Sequence, residues 1–199
     1  MQHHEDILAF WFGPDADEAR LLATQTPRWF TRDPEFDREI RARFGAAFAD
    51  AEDGRLDPWA DSAESCLALL LLLDQFSRNL HRDSPVAFAT DAYAQRVCLE
   101  GLRRGHDRAL SRPQRVFFYL PLEHAENLSL QHACVALFAA LRDEAPEPVR
   151  SHYDGFLRYA HAHRDVIAAH GRFPHRNAVL GRTSTEAELA YLAQPGAGF

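Results

Sequence analysis

The chain has 199 residues, which suits one domain on the usual prior of about 150 residues each. Hydrophobic residues make up 46 %, with 14 Phe and 3 Trp, enough to fill a sizeable core and unlike the aromatic-poor composition of a disordered chain. A formal charge of −7 argues against a nucleic-acid partner, because phosphate contacts need a basic field.

Helix signals recur along the chain and strand signals do not. Residues 5–12 form a short apolar helix closed by Gly13-Pro14. Asp33-Pro34 is an N-cap followed by Pro at the first helical position, and Phe36, Ile40, Phe44 and Phe48 then repeat every four residues as one buried stripe, up to Gly54. Ser62 opens the next helix. Its Leu67–Leu73 centre is apolar on all sides, so other helices must surround it. Ser84-Pro85 starts a helix that ends near Gly101 and Gly105. Residues 114–125 and 127–144 form two more, with Pro121 kinking or separating them. Pro148 opens a long helix to His170, closed by Gly171, and Thr183-Ser184-Thr185-Glu186 reads as a capping box for a last short helix before Pro195-Gly196. The expectation is one all-α domain over residues 1–199: seven to eight helices, with antiparallel pairs stacked in a compact array. No internal repeat of about 34 residues aligns.

The longest apolar run, Leu67 to Leu73, is far short of the roughly 20 residues that span a bilayer. The segment from Met1 to Asp6 has no basic stretch of the kind that opens a signal peptide. Cys66, Cys98 and Cys134 are far apart, in apolar helical stretches and without metal-binding spacing. They read as reduced core thiols, which predicts a cytoplasmic protein. No Lys occurs, so every fixed cation is an Arg, whose planar fork grips carboxylates and phosphates where Lys offers a point charge. A GC-rich genome also explains that bias.

The polar residues of interest sit inside apolar helices. Asp74 and Arg78 are four apart at the end of the leucine helix, as are Gln75 and Asn79, so each pair shares a face. A carboxylate at a helix C-terminus opposes the dipole and calls for a partner such as Arg78. His124 falls on a stripe with Phe117, Leu120 and Leu128, and Gln131 follows if the helix runs through. Glu123 and Glu126 nearby raise the prospect of acid–base work. In the long helix, Val149, Phe156, Tyr159, Ala160, Val166 and Ile167 share a face with His163, while His161, Arg164 and Asp165 lie opposite. His161 and His163 therefore point two ways, and metal ligands would sit at i and i+4, so no metal site is assigned. After Gly171 comes a loop rich in anion donors, Arg172, His175, Arg176, Asn177 and Arg182, which leads to a helix N-terminus. Each of these residues also has a structural reading, as an ion pair, a core hydrogen bond or a solvated surface group. Nucleophile elbow, phosphate loop, dinucleotide fingerprint and HExxH are all missing.

Together these segments resemble a bacterial family catalogued as domain of unknown function 924. The motifs are Phe10-Trp11-Phe12-Gly13, Asp74-Gln75-Phe76 with Arg78-Asn79, Ala87-Phe88-Ala89-Thr90-Asp91, Phe117-Phe118-Tyr119-Leu120-Pro121 with Glu123-His124, His163-Arg164-Asp165, Gly171 to Asn177, Leu180-Gly181-Arg182 with Ser184-Thr185, and Pro195-Gly196 with Phe199. The chain departs from the family pattern at Ser77, where Pro is expected, at Asp83, where Gly is usual, and at His170, where an aromatic is usual. The resemblance implies an all-α fold like the tetratricopeptide-repeat superfamily. It implies no reaction.

Two functions from different classes follow as expectations. The first is an inter-helical pocket for an anionic small molecule. In it His124 or His163 transfers a proton, Glu123 sets the charge state, and Asp74, Arg78, Asn79, Tyr119, Gln131, Arg172, His175, Arg176, Asn177 and Arg182 hold the ligand. The second is a helical-repeat module that docks a peptide or protein, with the polar residues as staples between helices. A homodimer is compatible with either. No cofactor is assigned.

Overall fold

Seven consecutive apolar residues cannot face water on any side of a helix, and the fold is arranged around that fact. In the computed structural model, which describes residues 3–15 and 17–198, Leu67 to Leu73 are each at most 1 % exposed. Met1, Gln2, Ala16 and Phe199 lie outside the described residues. The first two residues of the N-terminal reading and the Phe199 of the family motifs therefore lie outside them too.

The central rod consists of α4 (Ala63–Leu70), one π turn (Leu71–Phe76) and α5 (Ser77–Leu80) without interruption. α1 (His4–Phe12), α6 (Asp91–Arg104) and α7 (Arg112–Glu123) pack on α4, and α3 (Pro34–Glu52) packs on the π turn and α5. α2 (Glu18–Phe30) reaches α1 and α9 (Glu147–His170). α8 (Leu128–Glu144) lies between α7 and α9 and makes its largest contact with α9, while α10 (Glu186–Leu192) closes against the turn Pro174–Arg176. Aromatic rings from separate helices lock the N-terminal half. Trp29 lies 4.7 Å from Phe117, Phe10 lies 4.9 Å from Phe44, and the Trp29 indole N–H donates to the Trp11 carbonyl at 2.8 Å. Such pairs contribute about 0.5–1.5 kcal/mol each beyond their buried area.

The protein is all-α among the described residues, but with nine helical rods rather than seven to eight. The additional one is α2. Only Leu21, Leu22 and Trp29 are buried on it, too sparse a stripe to read, and Pro27 lies inside it where it would normally break a helix. Its start is nonetheless well formed, with the Asp17 side chain accepting the Arg20 N–H at 2.8 Å.

Four other expectations need correction. The helix expected from Ser84 divides into a tight 3-10 turn, Pro85–Phe88, and α6, because the Ser84 hydroxyl caps only that turn, at Val86. Pro121 does not separate the two helices. It lies inside α7, and the break comes at His124, with Asn127 capping α8 through the Leu130 N–H. The last capping box is Thr185 with Glu188, two residues later than expected. Finally, Tyr159 points outward at 55 % exposure, and Tyr153 takes its place on the buried face of α9 with Val149, Ala160, His163, Val166 and Ile167. The three cysteines are buried and free, and burial pushes the Cys66 thiol up to about 12. No described helix is long and apolar enough to cross a membrane.

Candidate functional site

A π turn adds a residue to the helical repeat and takes carbonyls out of the regular ladder. Here the Ser77 N–H donates to the Leu72 carbonyl, five residues back. The Leu73 carbonyl, which Ser77 would take in an α-helix, instead accepts from the Thr90 hydroxyl at 2.6 Å, and the Asp74 carbonyl accepts from Arg78 Nη1 at 2.6 Å. Such turns are rare and are found often at functional sites. This one presents Asp74 at the end of the buried rod.

The Asp74 carboxylate is 1 % exposed and carries three cationic or donor partners. His124 Nδ1 lies 2.8 Å from Oδ1 and 3.0 Å from Oδ2, Gln75 Nε2 donates to Oδ2, and Arg78 Nη1 is 3.4 Å from Oδ1. Burial opposes the charge on Asp74, but His124 and Arg78 outweigh it and hold the carboxyl well below its usual range. An ionised carboxylate only accepts, so His124 Nδ1 carries the ring proton and Nε2 holds the lone pair. Burial lowers the pKa of His124, Arg78 and Arg176 add to the fall, and Asp74 opposes it only in part, so the ring is neutral at pH 7.

Asp91, the first residue of α6, ties the arginines together. Arg78 Nη1 lies 3.0 Å from Asp91 Oδ1 and its Nη2 donates to Oδ2 at 3.1 Å, while Arg176 Nη1 donates to Oδ2 at 3.1 Å. Arg176 also donates to the His124 carbonyl at 3.2 Å, and its guanidinium lies 4.5 Å from the Phe173 ring centre and 4.7 Å from that of Phe88. Its Nε is buried without a hydrogen-bond partner. Burial and the nearby Arg78 bring its pKa down to about 10, so it remains charged at neutral pH.

A second pair adjoins the first. The His163 ring centre is 6.1 Å from that of His124. His163 Nδ1 donates to the Tyr159 carbonyl at 2.9 Å and lies 3.3 Å from Glu123 Oε1. Burial, helped by the Asp74 charge, pushes Glu123 up to about 8, while burial and the neighbouring His124 bring His163 down to about 3. Both are therefore neutral at pH 7, and Glu123 is a carboxylic acid that keeps its proton, a state that allows a carboxyl group to donate. His175 is brought down to about 4 by burial and by Arg176. Two carboxylates, Asp74 and Asp91, thus balance two guanidinium groups, and four further ionisable side chains stand uncharged around them.

The bacterial family described as a protein of unknown function, DUF924, matches residues 7–196. The chain belongs to that family. It is similar to the solved structure of a protein of unknown function, ATU0120, from Agrobacterium tumefaciens, with 39 % identity, coverage of 96 % of this chain and 97 % of that one, and a TM-score of 0.81. No curated protein matches it.

Within this DUF924 chain, the sequence candidates divide into two sets. Asp74, Arg78, Glu123, His124, His163, His175 and Arg176 come together as described. The others are engaged elsewhere. Asn79 donates to Asp37 at 2.8 Å, beside Arg82. The Tyr119 hydroxyl donates to Asp107 at 2.9 Å and accepts from Arg115. Gln131 donates to the carbonyls of Glu123 and Ala125 at 2.6 and 2.8 Å, which knits the turn between α7 and α8. Arg172 grips Glu188 with two nitrogens and also donates to the Thr183 carbonyl. Asn177 reaches Ser184 and Glu188, and Arg182 reaches Glu126 and the Phe173 carbonyl.

Asp91, Phe88 and Phe173 were not singled out in the sequence as site residues. Asp91 was hidden because it was read as mid-helix, whereas it begins α6, where an acidic residue suits the dipole. Two surface concavities of about 530 and 590 Å³ lie away from the cluster, one lined by His170, Arg172 and Glu188, the other by Arg28, Asp33 and Glu39. No group of three His, Cys, Asp or Glu among the described residues is placed to hold a metal.

Proposed function

We propose that the cluster around His124 binds a small anionic molecule and exchanges a proton with it. The observation that carries this reading is the Asp74–His124 pair itself. A buried carboxylate fixes the imidazole at Nδ1, 2.8 Å away, and so leaves Nε2 as the basic nitrogen, the arrangement a proton-transfer histidine requires. Arg78 and Arg176 stand beside it as anion donors, and the Arg176 Nε has hydrogen-bonding capacity unused. The side chains of Arg78 and His124 are 20 % and 17 % exposed, which gives the cluster an opening to solvent. The test is a thermal-shift screen of small carboxylates, phosphates and sulfonates. A binder at 100 times its Kd stabilises the native state by about 2.7 kcal/mol. The gain should vanish in Arg176→Gln and shrink, with its pH dependence lost, in His124→Gln. A screen in which no anion shifts the wild-type melting temperature would overturn the proposal.

A second reading, a tetratricopeptide-repeat-like stack of antiparallel pairs that docks a peptide or a second copy of the chain, draws support from a different face. Phe30 and Tyr159 are 51 % and 55 % exposed, and Phe30 lies 6.0 Å from Phe156, which is one helical turn from Tyr159. Light scattering that gives one monomer mass at all concentrations would remove the dimer version. The three buried free thiols support a reducing compartment such as the cytoplasm.

A further inference from the structure

We infer that each anion bound at this cluster brings one proton with it, taken up on His124. The inference rests on the reading of the cluster as an anion site and adds the rule by which that site accepts charge.

The argument begins with charge balance. Asp74 and Asp91 already match Arg78 and Arg176, through contacts of 3.0 to 3.4 Å. An added anion would therefore leave one uncompensated negative charge in a place where Asp74 and Arg176 are almost wholly buried, and burying unpaired charge is costly. One proton restores neutrality, and the question is which group accepts it.

The surroundings of His124 decide this. From the π turn Asp74 faces it and favours its cationic form. Arg78 on α5 and Arg176 on the turn after α9 oppose that form, with Asp91 standing behind both arginines. An anion seated on the arginines cancels their repulsion and leaves Asp74 as the dominant neighbour. His163 on α9 is a poorer acceptor. Its Nδ1 bond to the Tyr159 carbonyl favours a cationic ring, but deep burial outweighs that, the carboxyl 3.3 Å from it is the protonated Glu123 of α7, and a cationic His124 would repel its charge. His175 is worse placed, next to Arg176. The ligand chemistry that fits is a monovalent oxyanion, a carboxylate or sulfonate, with two oxygens for the guanidinium forks.

Sodium acetate and sodium methanesulfonate serve as probes, since both stay monoanions between about pH 6.5 and 8. Each is added to weakly buffered wild-type protein under a pH electrode, with long-range 1H–15N NMR on the imidazoles. The expected result is uptake of about one proton per anion bound, binding about tenfold weaker per pH unit on the alkaline side, and conversion of His124 from one N–H to two. A difference in affinity between the two probes tells a carboxylate site from a sulfonate one. His124→Gln should bind more weakly, without uptake and without that pH slope, while His163→Gln should keep both uptake and slope. If His124→Gln does not fold, the wild-type NMR decides alone. Binding with no proton uptake, or with the proton on another histidine, overturns the inference and leaves the anion site standing. No binding of either probe at any pH overturns the anion reading and this inference with it.

Discussion

Glu123 offers the sharpest test of how the cluster is charged. Its carboxyl is 5 % exposed, and burial with the nearby Asp74 charge raises its pKa from 4.5 to about 8. In the unfolded chain it ionises near its ordinary value, so across the interval the native state holds a proton that the unfolded state has lost. A group with a raised folded pKa contributes stability that is complete below the unfolded pKa and declines as pH rises toward the folded one. The decline is about 1.4 kcal/mol per pH unit, or roughly 3 kcal/mol from about pH 5.5 to 8. Glu123→Gln keeps the shape and hydrogen-bonding capacity but removes the proton equilibrium. Urea unfolding followed by circular dichroism at several pH values should show the variant gaining on wild type by about that amount over the interval. Parallel pH profiles would refute the argument. So would a variant less stable by a constant 3–5 kcal/mol at every pH, since that is the signature of a Glu123–His163 ion pair broken to leave a buried imidazolium.

Two further outcomes are expected. Asp74→Asn leaves Arg78 to Asp91 alone and sets an amide against His124. Because Arg78 keeps one partner and some solvent, the cost falls at the low end of the range for a broken buried pair, about 3 kcal/mol, which scanning fluorimetry reads as a melting temperature roughly 6–12 °C lower. Gly101→Ala places a Cβ 2.6 Å from Phe118 Cζ and 3.3 Å from Cys66 Sγ, so chemical denaturation should show a loss of about 1–3 kcal/mol from overpacking between α6 and α7.

Much of this was legible in the sequence where a single physical rule decides the outcome. The leucine run fixed a surrounded helix, Asp33-Pro34 marked the start of α3, and the opposed faces of His161 and His163 followed from 100° per residue. The reading failed where local signals compete. Thr183 with Glu186 and Thr185 with Glu188 both fit a capping box, and only the pull of Arg172 and Asn177 on Glu188 selects the second. His124 was expected inward because it falls on a stripe with Phe117, Leu120 and Leu128, with Gln131 following if the helix ran through. The helix in fact ends at His124, yet the ring is inward, held there by Asp74. The α7 half of the stripe, Phe117 and Leu120, is buried as expected, and only its continuation into α8 does not survive. The π turn has no sequence signature of its own, since Leu71–Phe76 reads as ordinary helix.

The same side-chain types do two different jobs here, and burial is what separates them. Arg182 and Glu126, at 23 and 26 % exposure, pair through two arginine nitrogens and tie the C-terminal loop to the turn before α8. Pairs of that kind need little desolvation and contribute about 0–1 kcal/mol each. Asp74 and Arg176, at 1 % and 6 % exposure, stand in the opposite regime. There, well-packed apolar residues would often serve stability as well or better. A fold that needed only a staple at the end of its central rod could have continued the leucines that run from Leu69 to Leu73. It instead places an aspartate on a π turn, turns a histidine onto it, keeps a glutamic acid protonated nearby and stacks an arginine between two phenylalanine rings. Stability alone gives no reason for that set. The proposed site, which would have to accept charge from outside and stay neutral, supplies one.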